Sequence, residues 1–143
     1  MPDAEKFLER MGDKITEVVH KPKRLYFVVK DDDLSEVAEY LFHIMKCRLS
    51  TATATEVHRG IEVLYQFSDD STGDYYCPRV VMTDKEHPSM HSITPIVKGA
   101  EWIEREMMEF WGIEFRGHPR PERLLSKDHP QNLDQPYRFR RLS

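Results

Sequence analysis

Cysteine is scarce: Cys47 and Cys77 are the only two in 143 residues, and they stand far apart. Zinc knuckles and iron–sulfur ligand runs need clustered thiolates, so this spacing excludes both, and reduced thiols are expected. Long hydrophobic runs are missing too. No stretch approaches what a bilayer span requires, and Met1-Pro2-Asp3-Ala4-Glu5 has neither the basic region nor the apolar core of a secretory signal. Any membrane association is therefore expected to come through partners. There is no Walker loop, dinucleotide fingerprint or nucleophile elbow, no internal repeat and no low-complexity segment. Residues 1–115 hold 14 basic and 22 acidic residues, a net −8, so the body lacks the basic footprint that nucleic-acid binding needs.

What remains fits one domain with a heavily charged surface: 39% hydrophobic and 32% charged residues. Phe7, Leu8, Met11, Ile15, Val18 and Val19 form a helical stripe, predicting a helix from Ala4 to Val19, broken by His20-Lys21-Pro22-Lys23. Leu25 to Val29 reads as a buried strand. Asp31-Asp32-Asp33 lacks the remainder of a calcium loop, and Asp33 with Glu36 predicts a capping pair. The next helix would present Leu34, Val37, Ala38, Leu41, Ile44 and Met45. Thr51, Thr53 and Thr55 alternate with alanines, His58-Arg59-Gly60 turns the chain, and Ile61, Val63, Tyr65 and Phe67 mark a strand with a strongly apolar side. Tyr75 to Thr83 predicts another strand, with Pro78 placing it near an edge. The fold class expected is α+β: a single domain with a largely antiparallel four-stranded sheet packed by helices, a helix-turn corner, and an extended basic tail.

The densest segment is Glu101 to Leu125, EWIEREMMEFWGIEFRGHPRPERLL. Ile103, Met107, Phe110 and Trp111 fall on one helical stripe, leaving Glu101, Arg105, Met108 and Glu109 on other faces. Gly112 is placed to end the helix in a left-handed residue. Ile113 to Phe115 then alternate as an extended piece, and Arg116-Gly117 turns before His118-Pro119. Glu104, Glu106 and Glu109 invite an acid–base role, but catalytic carboxylates need a shared cleft. His87 and His91 are four apart, with Pro88 between them breaking any helix and no third ligand in sight. His118 is expected to fix the corner through ring hydrogen bonds.

The run Glu104-Arg105-Glu106-Met107-Met108-Glu109-Phe110-Trp111-Gly112-Ile113, followed by Phe115-Arg116-Gly117-His118-Pro119, resembles the motif of the family named for the 30-kDa subunit of respiratory complex I. That family includes the homologous small subunit of membrane-bound energy-converting [NiFe] hydrogenases. Glu109 stands where the family usually has Asp, and Arg120-Pro121-Glu122-Arg123 replaces the more usual Asp-Leu-Arg-Arg. The resemblance implies a cofactor-free, non-catalytic subunit with no catalytic, cofactor-binding or metal residues of its own. Its implied place is the hydrophilic arm of a membrane-bound oxidoreductase, on the cytoplasmic side of the membrane. The implied partners are a hydrogenase-like large subunit of the 49-kDa type and an iron–sulfur small subunit, with no nucleic acid. Residues 1–125 would form the family's domain and 126–143 a basic docking tail. The interface residues it implies are Trp102, Glu104, Arg105, Glu106, Trp111, Gly112, Phe115, Arg116, Gly117, His118, Pro119 and Arg123. The alternative is a stand-alone metal-dependent enzyme using Glu104, Glu106, Glu109 and His118.

Overall fold

The structure is a computed structural model that describes residues 2–119. In chain order its elements are α1 (Pro2–Met11), β1 (Ile15–Lys21), β2 (Arg24–Val29) and α2 (Leu34–Glu39), the last running on as a π turn over Tyr40–Ile44. Then come β3 (Arg48–Val57), β4 (Gly60–Asp69), β5 (Asp74–Met82), β6 (Ser89–His91), α3 (Glu101–Trp111) and β7 (Glu114–Arg116). Five strands form one sheet in the order β1-β2-β5-β4-β3, and β6 and β7 form a separate two-stranded ribbon. Within the large sheet only β2 and β5 run parallel.

The α+β class with one helix-covered sheet face is as expected, but the sheet has five strands, not four. The fifth, β1, comes from the second half of the helix expected over Ala4–Val19. The helix ends at Met11, and Ile15–Lys21 pairs antiparallel with β2. Thr16, Val18 and Val19 are β-branched, and an available partner strand decides the conformation of such residues over a shared helical period. Val18 and Val19 accordingly face outward instead of lining a helix stripe.

Two smaller expectations also change. Asp33 occupies the N-cap position of α2 but makes no side-chain capping bond. Pro78 is not near an edge; it lies in β5, the middle strand. There it sits opposite Phe27 of β2, while the rungs to β4 lapse between Leu64↔Arg79 and Phe67↔Tyr76. A proline has no N–H for the ladder, and the sheet accommodates this by an unpaired stretch within an unbroken register.

Ile61, Val63, Tyr65 and Phe67 of β4 are all buried, as their alternation predicts. The ring of Phe7 on α1 packs 5.0 Å from Phe27 of β2, 5.5 Å from Tyr76 of β5 and 6.0 Å from Tyr40 beyond α2. These contacts, with Tyr65 meeting α3, put the three helices on one side of the sheet.

Cys47 and Cys77 are free thiols and both are buried. Burial pushes Cys47 up to about 12 and Cys77 up to about 11, so neither forms the reactive thiolate near neutrality. In a mildly alkaline buffer the folded chain is expected to resist a thiol-specific disulfide reagent until denaturant is added. Prompt labelling of either cysteine in the folded chain would contradict this.

Candidate functional site

Helix α3 starts from a 3₁₀ turn over Lys98–Ala100 and stops at Gly112, whose φ of 73° is left-handed. The Gly112 N–H donates to the Met108 carbonyl at 3.0 Å and closes the last turn. The chain then enters β7, which pairs in parallel with β6 through Ser89↔Glu114, Met90↔Phe115 and His91↔Arg116. The expected turn follows, with Gly117 at φ 86°.

The buried side of α3 differs from the stripe read in the sequence. Glu104, Met107, Met108 and Glu109 are buried, Ile103 and Trp111 are half-buried, and Phe110 is exposed. Glu104 is completely enclosed. Its Oε1 accepts from Ser92 Oγ at 2.5 Å and Thr94 Oγ1 at 2.8 Å, and its Oε2 from Tyr65 Oη at 2.7 Å and the Ile93 N–H at 3.0 Å. An ionised carboxylate is acceptor-only with about four lone-pair directions, and here each meets a donor. Among the described residues no cation forms an ion pair with it. Burial, then the nearby Glu104 charge and the hydrogen bond to it, hold the Tyr65 hydroxyl well above the usual phenol range, so it stays a donor. The carboxylate thus ties α3 to β4 and to the segment after β6.

Two further ties hold the corner. His118 is buried, and its Nε2 lies 3.1 Å from the Glu101 carbonyl; a carbonyl only accepts, so Nε2 carries the proton. The Arg116 guanidinium pairs with Asp31 Oδ2, and Asp31 Oδ1 accepts the His91 N–H at 2.7 Å. The corner is thereby fixed to the turn before α2.

These positions divide the expected docking residues. Glu104, Phe115 and His118 lie inside the chain and shape the elbow from within. Arg116, expected to meet a partner carboxylate, pairs with Asp31 of its own chain instead, because the fold brings the acidic turn beside β7. Gly112 and Gly117 serve backbone turns, Trp111 is half-buried, and Pro119 is exposed. Trp102 is 59% exposed, and its indole N–H donates to exposed Glu106 at 2.6 Å, one helical turn on. Arg105 is half-buried, and its buried Nε has no hydrogen-bond partner among the described residues. Arg123 and the tail 126–143 lie outside the described residues.

The three glutamates do not converge. Glu104 is sealed in the core and Glu106 points outward beside Trp102. Cavities of about 270 and 290 Å³ lie elsewhere, one against Tyr40 and Ile44, the other against Asp31, Val81 and His87. Sequence reasoning missed one constellation. Asp31, Asp32 and His91 bring candidate ligand atoms within 4.8 Å of one another. Only the tertiary approach of β6 to the acidic turn creates it, so no spacing signal was available. The Arg116 guanidinium pairs with the same Asp31 carboxylate.

Fold and site together describe an α+β domain whose most conspicuous acid is a structural anchor and whose α3 keeps a tryptophan on its outer side. The chain belongs to the family described as the respiratory-chain NADH dehydrogenase 30 Kd subunit, whose model matches residues 27–140. The C subunit of NADH-quinone oxidoreductase from Chloroherpeton thalassium is 29% identical over 128 residues, covering 84% of this chain and 52% of that protein. The C/D subunit of the NADH-quinone oxidoreductase of Bacteroides thetaiotaomicron is 33% identical over 93 residues, covering 58% of this chain and 18% of its own length. The chain therefore spans about half, or less, of these relatives. Among solved structures, the trypsin-resistant fragment (1-134) of Nqo5 superposes with a TM-score of 0.70 at 19% identity, covering 84% of this chain and 99% of that one. A chain of the membrane-bound sulfane sulfur reductase, an archaeal respiratory membrane complex, gives 0.67 at 23% identity, covering 96% and 79%. At these identities the likeness concerns the fold. No helix among the described residues is long and apolar enough to cross a membrane.

Proposed function

We propose that this chain is a cofactor-free assembly subunit in the hydrophilic arm of a membrane-bound oxidoreductase, complex I-like or of the energy-converting hydrogenase type. It would hold a hydrogenase-like large subunit and an iron–sulfur small subunit in register for electron transfer coupled to ion translocation, on the cytoplasmic side. The observation that carries this reading is the engagement of Glu104. This most deeply enclosed acid of the motif has all its acceptor positions filled by donors of its own chain, leaving none for a substrate.

What α3 offers outward is recognition chemistry. Trp102 and Phe110 supply apolar area, and Arg105 supplies a guanidinium with no carboxylate among the described residues. Buried aromatic and arginine anchors carry most of the free energy at protein interfaces. Trp102→Ala is expected to leave the isolated chain's thermal midpoint nearly unchanged, since the side chain is mostly exposed. It should lower retention of the chain in the native membrane complex by about tenfold or more, a loss typical of an interface anchor. Arg105→Ala and Glu106→Ala should weaken retention in the same direction. Full assembly of the Trp102 variant with lost turnover would instead support a chemical role for this helix.

A further inference from the structure

The described helices cover one side of the five-stranded sheet and leave the other open among the described residues. Register assigns the open side directly: Lys21, Arg24 and Tyr75 share a row, then Val19, Tyr26 and Cys77, then Val28, Arg79, Leu64 and Thr53. No described helix lies over these rows. Val19 is exposed, while Tyr26, Val28, Leu64, Tyr75, Arg79 and Val81 are each partly exposed.

The charge of this side runs against that of the molecule. The body from residue 1 to 115 carries a net −8, yet the strand positions that the register places outward here hold Lys21, Arg24, Arg48 and Arg79 against Glu62, with Glu17 of the β1 irregularity paired to Arg59. Arg48 is neutralised by Asp70. The central two are less fully paired. Arg24 lies over the Tyr75 ring at 4.7 Å and Arg79 over the Tyr26 ring at 5.0 Å. Arg24 forms no ion pair among the described residues, and Arg79 comes no nearer to Glu62 than 3.9 Å, its buried Nε without a hydrogen-bond partner. Stacking on a tyrosine fixes a guanidinium in plane and leaves its edge donors free, so less freedom is lost when a carboxylate arrives.

We infer that this open sheet face is a second docking surface, distinct from α3, for a protein partner presenting carboxylates among apolar side chains. Tyrosine and arginine amid partly exposed valine and leucine is the composition of an interface core. Complementary charge would steer and orient an acidic partner. A second copy meeting face to face would set cations against cations. A nucleic acid would have to approach a body of the same sign as itself. With α3 on the other side, the chain would sit as a spacer between two neighbours.

The test uses the full chain in its native membrane complex. The pair Arg24→Glu/Arg79→Glu is expected to reduce retention of the chain by about tenfold, whereas Arg24→Lys/Arg79→Lys keeps most of it. Should the reversed pair fold poorly, Thr53→Glu/Thr55→Glu places two negative charges on the same face at exposed edge-strand positions, with the same loss expected. Wild-type retention of the folded charge-reversed chains overturns the inference. So does dimerisation of the free chain, seen by sedimentation and dissolved by the reversals, or saturable binding of a single-stranded RNA oligonucleotide that they abolish. Loss on Trp102→Ala with full retention of the reversed pairs would dismiss this face and leave the α3 surface standing; the converse result would dismiss α3 alone.

Discussion

Glu104→Ala is expected to destabilise the fold by about 2–4 kcal/mol, the largest effect of any single side-chain truncation in the elbow. The carboxylate is fully enclosed and accepts four hydrogen bonds. On its removal the Ser92 and Thr94 hydroxyls can rotate toward other acceptors. The Ile93 N–H is fixed in the backbone and the Tyr65 hydroxyl is held by a buried ring, so both stay unsatisfied, at roughly 1–3 kcal/mol each. Water entering the vacated space would offset part of that. Glu104→Gln should cost less, about 1–2 kcal/mol, because its amide oxygen still accepts from one pair of donors while its NH₂ confronts the other. The check is the urea midpoint at unchanged m-value. A loss for Glu104→Ala below about 1 kcal/mol would show that the network is not the anchor described. Glu106→Ala, on the exposed side, should fall within about 0.5 kcal/mol of wild type. Adjacent turns of one helix would thus separate a structural acid from a surface one.

Gly60→Ala is the second large effect. Gly60 has φ 155°, and a Cβ there would lie 2.8 Å from the Met82 carbonyl carbon and 3.0 Å from Thr83 Cα, closer still to the Met82 carbonyl oxygen. These are backbone atoms of the strand paired to β4 through Ile61↔Met82, so no side-chain rotation relieves the clash. Either the first rungs between β4 and β5 open or the β3–β4 hairpin shifts, with an expected cost of about 3 kcal/mol or more. Hydrogen exchange at Ile61 and Met82 would register the opened rungs, and denaturation the total loss. Native-like protection of both amides in the alanine variant would contradict the close approach.

Much of this was legible in the sequence. Alternation marked β4 and its buried face, the Leu34–Leu41 spacing marked α2, and the glycine after Trp111 marked the end of α3. Each signal depends on a neighbour within one or two turns of the same segment. The failures share a cause. Ile15–Val19 fits a helical period as well as a strand, and only the presence of β2 beside it decides. Pro78 reads as an edge residue until the crossover seats β5 between β2 and β4. The sequence stripe on α3 put Trp111 and Phe110 toward the core. In the fold Glu104 faces inward, because Ser92, Ile93, Thr94 and Tyr65 assemble a polar socket from separate places in the chain.

By itself the sequence determined the α+β class, the absence of clustered thiolates and of a bilayer-length apolar run, the left-handed stop at Gly112, and the motif that marks the family. Those follow from composition and short-range spacing. Only the tertiary structure decided which acids are buried, that Arg116 pairs with Asp31, that Gly60 is needed for close approach to Met82, and that no described helix covers the sheet face whose arginines stack on tyrosines. Such features depend on atoms far apart in the chain meeting within a few ångströms, and periodicity along one segment carries no record of what lies across from it.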